Sequence, residues 1–547
     1  MHLTLGSLVL VPFLALSSRA VAADWYVDAA HGSDGNGGTS TLDAWKTIRK
    51  AVAAVPLHTG QIQRVHVAPG LYDAANGETF PYLLSDHDAV QLVGDAGPAL
   101  TTIDAGGAGN VFVAMHIVHS GYTGPDTLVR GFTLRNAGTG VLLGASYGSI
   151  YLSLADLVIT QMSTAGVTVQ SSGSSFSGVP HMTLSRVAID HCGSGLVVTS
   201  NAIQAAGPAE VTFEDGALVD AVGHGLALTD SGGSGAMVVL RRVRVAGNGG
   251  DGVRLHQDEP ALYPGAAPMW TIVEDSLVAR NAGAGVRTEY SGTFLRPTAI
   301  YTTLQRCTVV DNAGVGVDQF FATGGGAFQT MLGGTIVFGN GDDVRENPTL
   351  PAFQFVSYGD VGDGDFAGSN GNLAVDPLFR DRVAGDYRLA WGSPCVETGD
   401  PATMGGTADL LGVKRSVDGD LDAQERADIG AFEFAPLELG GPVRVGGSAD
   451  LALWGPSGGR AILYFSRGEP MATPNVTFFG DFDLNPTAFR NFGRSLVAQG
   501  PPVHRPFAIP NDPAFAGMTF SFQALTSSTV ANPIAAYTNP ITFTVLP

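Results

Sequence analysis

Lysine is nearly missing from this chain. It stands only at Lys46, Lys50 and Lys414, so any positive group in the central region is Arg or His. Charge of either sign is scarce at 14%, while Gly reaches 74 of 547 residues. This composition excludes a disordered chain, which carries high charge and few branched apolar residues. It suits an all-β chain of short strands and tight corners. Cysteine is also rare, with Cys192, Cys307 and Cys395 making an odd count that excludes a disulfide framework. No Walker loop, HExxH or CxxC appears, which removes P-loop, zinc-protease and dithiol chemistry. The net charge of −21 repels phosphate backbones, so nucleic acid is excluded as a partner. The same charge weakens the approach of polyanionic sugars unless a local basic patch or Ca²⁺ intervenes.

Long apolar runs are absent too. Leu3 to Leu16 is shorter than the roughly 20 residues that a spanning helix needs, and Ala20-Val21-Ala22 follows it as a cleavage signal. Residues 1–22 therefore read as an export leader. The mature chain is expected to be secreted or at the cell surface, monomeric and without a transmembrane helix.

What the chain does have is a repeat. Aligned on a Gly that precedes an apolar-x-apolar triplet, copies fall at Gly140, Gly166, Gly195, Gly225, Gly252, Gly285 and Gly316, with a degenerate copy at Thr335–Val344. Each copy is a strand with one buried face, a corner and a second such strand. Units that bury a face only by stacking make a solenoid. Asn136, Asn248, Asn281 and Asn312 lie four residues before their Gly and predict a structural Asn ladder along one edge. Cys192 and Cys307 fall four coils apart, roughly 19 Å, too far for a disulfide, so they read as buried inert thiols.

These segments resemble right-handed parallel β-helix proteins of the pectate-lyase-like superfamily over at least Val129–Val344. The fold class predicted is all-β: a single-stranded right-handed parallel β-helix with an N-terminal helical cap and a small C-terminal β-sandwich. Residues 24–125 supply the cap and first coils, and 126–350 the main coils. In the cap, Ala44, Ile48, Val52 and Val55 mark an apolar helical stripe that Ser40 or Thr41 could cap. That stretch resembles an N-terminal domain of unknown function found in bacterial β-helix proteins. Residues 351–434 contain Asp376-Pro377-Leu378-Phe379, Gly392-Ser393-Pro394-Cys395 and Asp428-Ile429-Gly430-Ala431-Phe432-Glu433, which resemble the choice-of-anchor Q module. That resemblance implies surface display. Residues 437–547 alternate short strands with Pro/Gly turns and predict the sandwich.

One place on the coils is charged. In the strand after the aligned Gly, positions +2 and +4 face solvent. They are neutral in the first four copies and then read Arg254 and His256, Arg287 and Glu289, and Asp318. Rungs about 4.8 Å apart would gather these five into one patch. Beside it the spacing lengthens, bringing Tyr263, Trp270, Tyr290 and Phe294 as aromatic walls for sugar faces. In an elimination, Arg254 or Arg287 would oppose a uronate carboxylate and His256 would take the proton. In a hydrolysis, Glu289 and Asp318 would be the acid/base pair. Lyases of the superfamily often use Lys or Arg with Ca²⁺, and Lys is missing from these coils. Two acidic loops present oxygens at alternate residues as calcium loops do: Asp360, Asp363 and Asp365, then Asp418, Asp420 and Asp422. The expected partner is extracellular polysaccharide or the cell envelope, which the chain binds, with cleavage as a lyase or hydrolase left open. The alternative is a non-catalytic surface protein whose solenoid displays its modules.

Overall fold

The computed structural model describes residues 22–547 except 57–60, 85–88, 117–126, 146–147, 173–177, 202–207, 259–266, 292–298, 322–327, 346–352, 404–407, 416, 421–423, 456–459, 472–474, 478–479, 486–488, 497–501 and 528–534. The leader-like segment thus lies outside the described residues, apart from its last position. Among the described residues no helix is long and apolar enough to cross a membrane.

Strands from Ala23 to Val361 form one parallel 26-stranded sheet wound into a right-handed β-helix. One coil shows the plan. Met269–Glu274 lies on the first face, Leu277–Ala279 on the second and Val286–Tyr290 on the third. Each strand pairs with its counterpart one coil on, so Met269 faces Ile300, Leu277 faces Thr308 and Val286 faces Val317. Alternate residues point inward: Val253, Leu255, Val286 and Val317 are buried, as are Val238, Leu240, Val243 and Val245. Stacked Val, Leu and Ile fill the narrow interior because the parallel register brings the same parity inward on every rung.

The corners are held by two polar ladders. In one, each Asn side-chain oxygen accepts from the backbone amide and side-chain amide of the Asn one coil before. Asn248 bonds Asn281, Asn281 bonds Asn312, Asn312 bonds Asn340, and Asp343 closes the row. Asn136, expected in this ladder, instead takes a left-handed backbone (φ 56°) and bonds Asp104. The other ladder occupies the corner between the first and second faces. Asp156, Arg186, Asp215, Arg242, Asp275 and Arg306 all have φ between 49° and 55°. Such a conformation costs a non-glycine residue about 1 kcal/mol or more. Acid–base pairing along the row (Asp156 with Arg186, Asp215 with Arg242, Asp275 with Arg306) offsets it.

At the N-terminal end the cap helix spans Ile48–Ala54 and begins later than the stripe suggested. Thr47, not Ser40 or Thr41, accepts the capping bond from the Lys50 amide, and the Glu78 carboxylate takes the Ile48 and Arg49 amides. Ile48, Ala51 and Val52 close the end of the core. All three cysteines are free and buried, and burial pushes the Cys192 thiol up to about 11 and the Cys307 thiol up to about 12.

Past Val361 the chain folds back onto the second face. Tyr387, Ala431 and Phe432 pack on Leu277, Ala279 and Val310, while Leu389, Cys395, Ile429 and Phe434 pack on Ile336. One cation locks this contact. Arg415 is 1% exposed and donates to Asp275 Oδ1 at 2.8 Å and to the Gly430 carbonyl at 2.9 Å, with Glu433 at 3.5 Å. Beyond it, antiparallel strands from Leu437 onward form three small sheets, with a core that includes Leu451, Leu463, Phe522 and Phe543.

The docked stretch makes stability fall with pH. Burial pushes the Asp428 carboxyl up to about 7 against its backbone hydrogen bonds and Arg415, and pushes Glu433 well above the usual range. Unfolded, both acids ionise near pH 4. Between there and the raised values the folded chain holds more protons, so stability drops as pH rises through that window. His224, whose pKa burial lowers, acts in the opposite sense below about 6.5. The melting midpoint is expected to be higher at pH 5 than at pH 8, with a smaller difference in Glu433→Gln. A midpoint that rises toward pH 8 would contradict this assignment.

Candidate functional site

The third face carries the charged patch on four successive rungs. Val253–Gln257, Val286–Tyr290, Val315–Phe321 and Asp342–Arg345 lie in register. Arg254 faces Arg287, Arg287 faces Asp318, Asp318 faces Arg345, and His256 faces Glu289. Outward parity therefore gathers Arg254, His256, Arg287, Glu289 and Asp318, the five residues singled out in the sequence.

Their contacts form one network. Arg254 Nη2 donates to Glu289 Oε2 at 2.9 Å. His256 Nε2 lies 2.8 Å from Asp258 Oδ1, and its Nδ1 lies 3.4 Å from Glu289 Oε2. Arg287 Nε sits between Asp251 Oδ1 at 3.6 Å and Asp318 Oδ2 at 3.5 Å. Arg345 Nη1 approaches Asp318 Oδ1 at 3.5 Å. Asp318 is more enclosed than its outward position implies, at 1% exposed. Two guanidiniums cover it, yet both stay beyond hydrogen-bond range. Arg254 Nε, His256 Nδ1, Arg287 Nε and Asp318 Oδ1 are all buried polar atoms without a hydrogen-bond partner. Native structures leave few such atoms, and a group of them marks unspent bonding capacity.

The two acids are displaced in opposite directions. Burial opposes ionisation of Glu289, but the hydrogen bond and charge of Arg254, with His256, outweigh it and hold this carboxyl below its usual range. At Asp318 burial wins over Arg345 and Arg287, aided by repulsion from Asp251 and Asp342, and the carboxyl is raised. Neighbouring carboxyls pushed in opposite directions are the arrangement that acid/base chemistry uses. Asp258 is also held low: burial opposes this, but hydrogen bonds from Ser291 and His256 prevail.

Sequence reading missed four members. His224 and Asp251 come from the position just before the aligned Gly, a column whose charges appear only in the copies at Gly225 and Gly252. Arg345 is the +2 residue of the degenerate last copy, where Asp343 replaces the Gly. Asp258 directly follows the strand that holds His256. The aromatic walls come out differently. Tyr290 is fully buried in the core, because it shares inward parity with Val286 and Thr288, and it cannot stack on a sugar. Tyr263 and Phe294 lie outside the described residues. Trp270 is 40% exposed on the adjacent first face and stacks on Tyr301 with centroids 4.0 Å apart.

The acidic loops divide as well. Asp360 is fully buried, accepts from the Val375 amide and faces the Cys395 thiol, so its carboxylate is committed to the fold. Asp363 accepts from the Asp343 and Asp365 amides, a turn-closing role, and Asp365 is exposed. Asp418 and Asp420 bring their ligand atoms within 4.8 Å of one another and of Glu397, while Asp422 lies outside the described residues. Among the described residues this is the one group of three acidic side chains with the compactness that a calcium ion requires. Elsewhere, a cleft of about 1000 Å³ opens between the second face and the docked stretch. Its Arg186 and Arg242 are tied to Asp156 and Asp215.

The profile of a family described as a protein of unknown function, DUF1565, matches residues 30–209. No curated protein matches. Among solved structures, the A-module of the Azotobacter vinelandii mannuronan C-5 epimerase AlgE6 aligns at 17% identity and a TM-score of 0.33, covering 60% of this chain and 94% of its own. The tailspike protein gp49 of Acinetobacter baumannii bacteriophage Fri1, a capsular polysaccharide depolymerase, aligns at 9% identity and 0.35, covering 97% and 87%. Tailspike protein 2 of bacteriophage CBA120 aligns at 10% and 0.34, covering 90% and 74%. Likeness at this level carries no argument about activity.

Proposed function

We propose that this is an exported protein that binds an acidic extracellular polysaccharide across the third face, with Arg254 and Arg287 opposing the sugar's anionic groups. One observation carries the reading: Arg254 Nε, His256 Nδ1, Arg287 Nε and Asp318 Oδ1 are buried on adjacent rungs with no hydrogen-bond partner. A polyhydroxylated, acidic chain running along the solenoid can reach the two guanidiniums beside those atoms, since Arg254 and Arg287 stay 35% and 34% exposed. The leader-like segment 1–22 and the absence of nucleic-acid chemistry in so acidic a chain agree with an extracellular role. Trp270 and Tyr301, beyond the corner, supply a stacking surface for a neutral sugar face.

Cleavage is a second reading, favoured by the opposite displacement of the two carboxyls. Arg254 and His256 hold Glu289 below its usual range, and burial raises Asp318. In register they are diagonal neighbours about 8 Å apart at the backbone. In an elimination His256, tied to Asp258, would be the group that takes the proton. The test is a panel of carboxylated, sulfated and neutral polysaccharides, scored for binding, reducing ends and the ultraviolet absorbance of an unsaturated product. Acidic polymers are expected to bind, and Arg287→Ala to weaken that binding by on the order of tenfold or more. New reducing ends without absorbance select hydrolysis, absorbance selects elimination, and neither leaves a binding protein. Failure of every anionic polymer to bind, or equal binding by Arg287→Ala, would overturn the reading.

A further inference from the structure

His224 is the member of the patch whose hydrogen bonding does not close on itself. Its Nδ1 lies 2.9 Å from the Asp251 backbone nitrogen, which can only donate. Nδ1 is therefore an acceptor and carries no proton, and the ring proton sits on Nε2. The neutral state agrees with a pKa lowered by burial and by Arg254 and Arg287, against the pull of Asp251. Nε2, however, lies 3.3 Å from Arg254 Nη1, which is also only a donor. Two donors thus face each other with no acceptor between them. The backbone amide cannot turn away, because it is fixed in the corner of the coil.

The surroundings hold this geometry in place. A Cβ on Gly250 would meet His224 Nδ1 at 2.7 Å, so the ring packs directly on the backbone of the next coil. Asp251 Oδ1 accepts from the Ala284 amide at 2.7 Å and anchors the same corner. Arg254 is turned by its bond to Glu289. One rung on stands Arg287 in register with Arg254, a like-charge pair that costs stability unless negative charge lies nearby. His224 and Arg254 remain 25% and 35% exposed, so a ligand can reach both.

We infer that His224 Nε2–H and the Arg254 guanidinium together seat one anionic oxygen, a carboxylate or sulfate oxygen, of a bound acidic sugar. This rests on the polysaccharide reading and deepens it: His224 becomes a ligand-contacting residue that favours acidic over neutral units. The seat satisfies both donors at once and places the negative charge between His224 and the in-register arginines. A neutral hydroxyl would satisfy the geometry without adding an ion pair to Arg254.

The test uses the full chain. With ¹⁵N-labelled histidine, the His224 signals, identified by their loss in His224→Leu, should show the Nε2–H tautomer and should move on titration with an oligouronate or a sulfated oligosaccharide, and not with a neutral glucan. The two acidic arms distinguish carboxylate from sulfate. His224→Leu should weaken acidic-polymer binding by on the order of tenfold, while His224→Gln, whose amide can offer an N–H in the same place, retains most of it. An Nδ1–H tautomer, or acidic-polymer binding by a folded His224→Leu equal to the parent, would overturn the seat. If Arg287→Ala loses binding in that case, the polysaccharide reading stands without it. If no acidic ligand moves the His224 signals or binds the parent chain, water alone fills the seat and both fall.

Discussion

Arg415→Leu is expected to cost about 3–5 kcal/mol and to loosen the stretch that folds back on the second face. The guanidinium is 1% exposed and meets Asp275, Glu433 and the Gly430 carbonyl. Removing it leaves Asp275 with Arg306 as its remaining cation and strands Glu433 beside Asp428 in a site with little water. The arithmetic is asymmetric. A complete buried ion network contributes little net stability, whereas half of one is strongly unfavourable. Adding Glu433→Gln to Arg415→Leu should therefore recover part of the loss. Chemical denaturation and limited proteolysis within 376–434 measure both effects. A single variant as stable and as protease-resistant as the parent would show that Arg415 does not hold this contact.

Asp318→Asn should move stability and ligand handling in opposite directions. The carboxyl is 1% exposed, lies 3.5 Å from each of two arginines, and has one oxygen with no hydrogen bond. Burial outweighs those cations and raises its pKa, so ionisation of this carboxyl, and the charge it leaves, is less favourable in the folded chain than in the unfolded one. An amide of the same shape removes that charge and should stabilise by on the order of 1 kcal/mol. Should the patch turn over its ligand, the same change removes a titrating carboxyl, and the rate should fall by about a hundredfold or more. Thermal melts and turnover on any polymer that the panel identifies check the two halves. Lower stability would mean that Asp318 serves the fold, and unchanged turnover would remove it from the chemistry.

Much of the fold was legible because its signals are local and repeated. Val286 and Thr288 alternate with Arg287 and Glu289, and that parity alone sends two side chains inward and two outward. Repetition at near-constant spacing then fixes the register, so the in-register row Arg254–Arg287–Asp318 follows from counting. The same parity, continued by one residue, buries Tyr290, and reading it as a groove wall set its aromatic character above its place in the strand. His224 was passed over because its column was not aligned, although its partner Asp251 sits at the equivalent position one coil on. Asn136 broke the ladder because its corner adopts a left-handed backbone, which side-chain identity does not announce.

The sequence by itself determined the winding, the inward and outward sets and the rungs where charge collects, since each depends on spacing along the chain. Only the tertiary structure decided which way those charges lean and how deeply they lie. Asp318 is enclosed because Arg287 and Arg345 reach over it from neighbouring rungs, and His224 faces a donor because Arg254 is turned by Glu289. The seam made by Arg415 joins residues 140 positions apart. Burial and rotamer choice are set by what packs from other coils, and no periodicity carries that information.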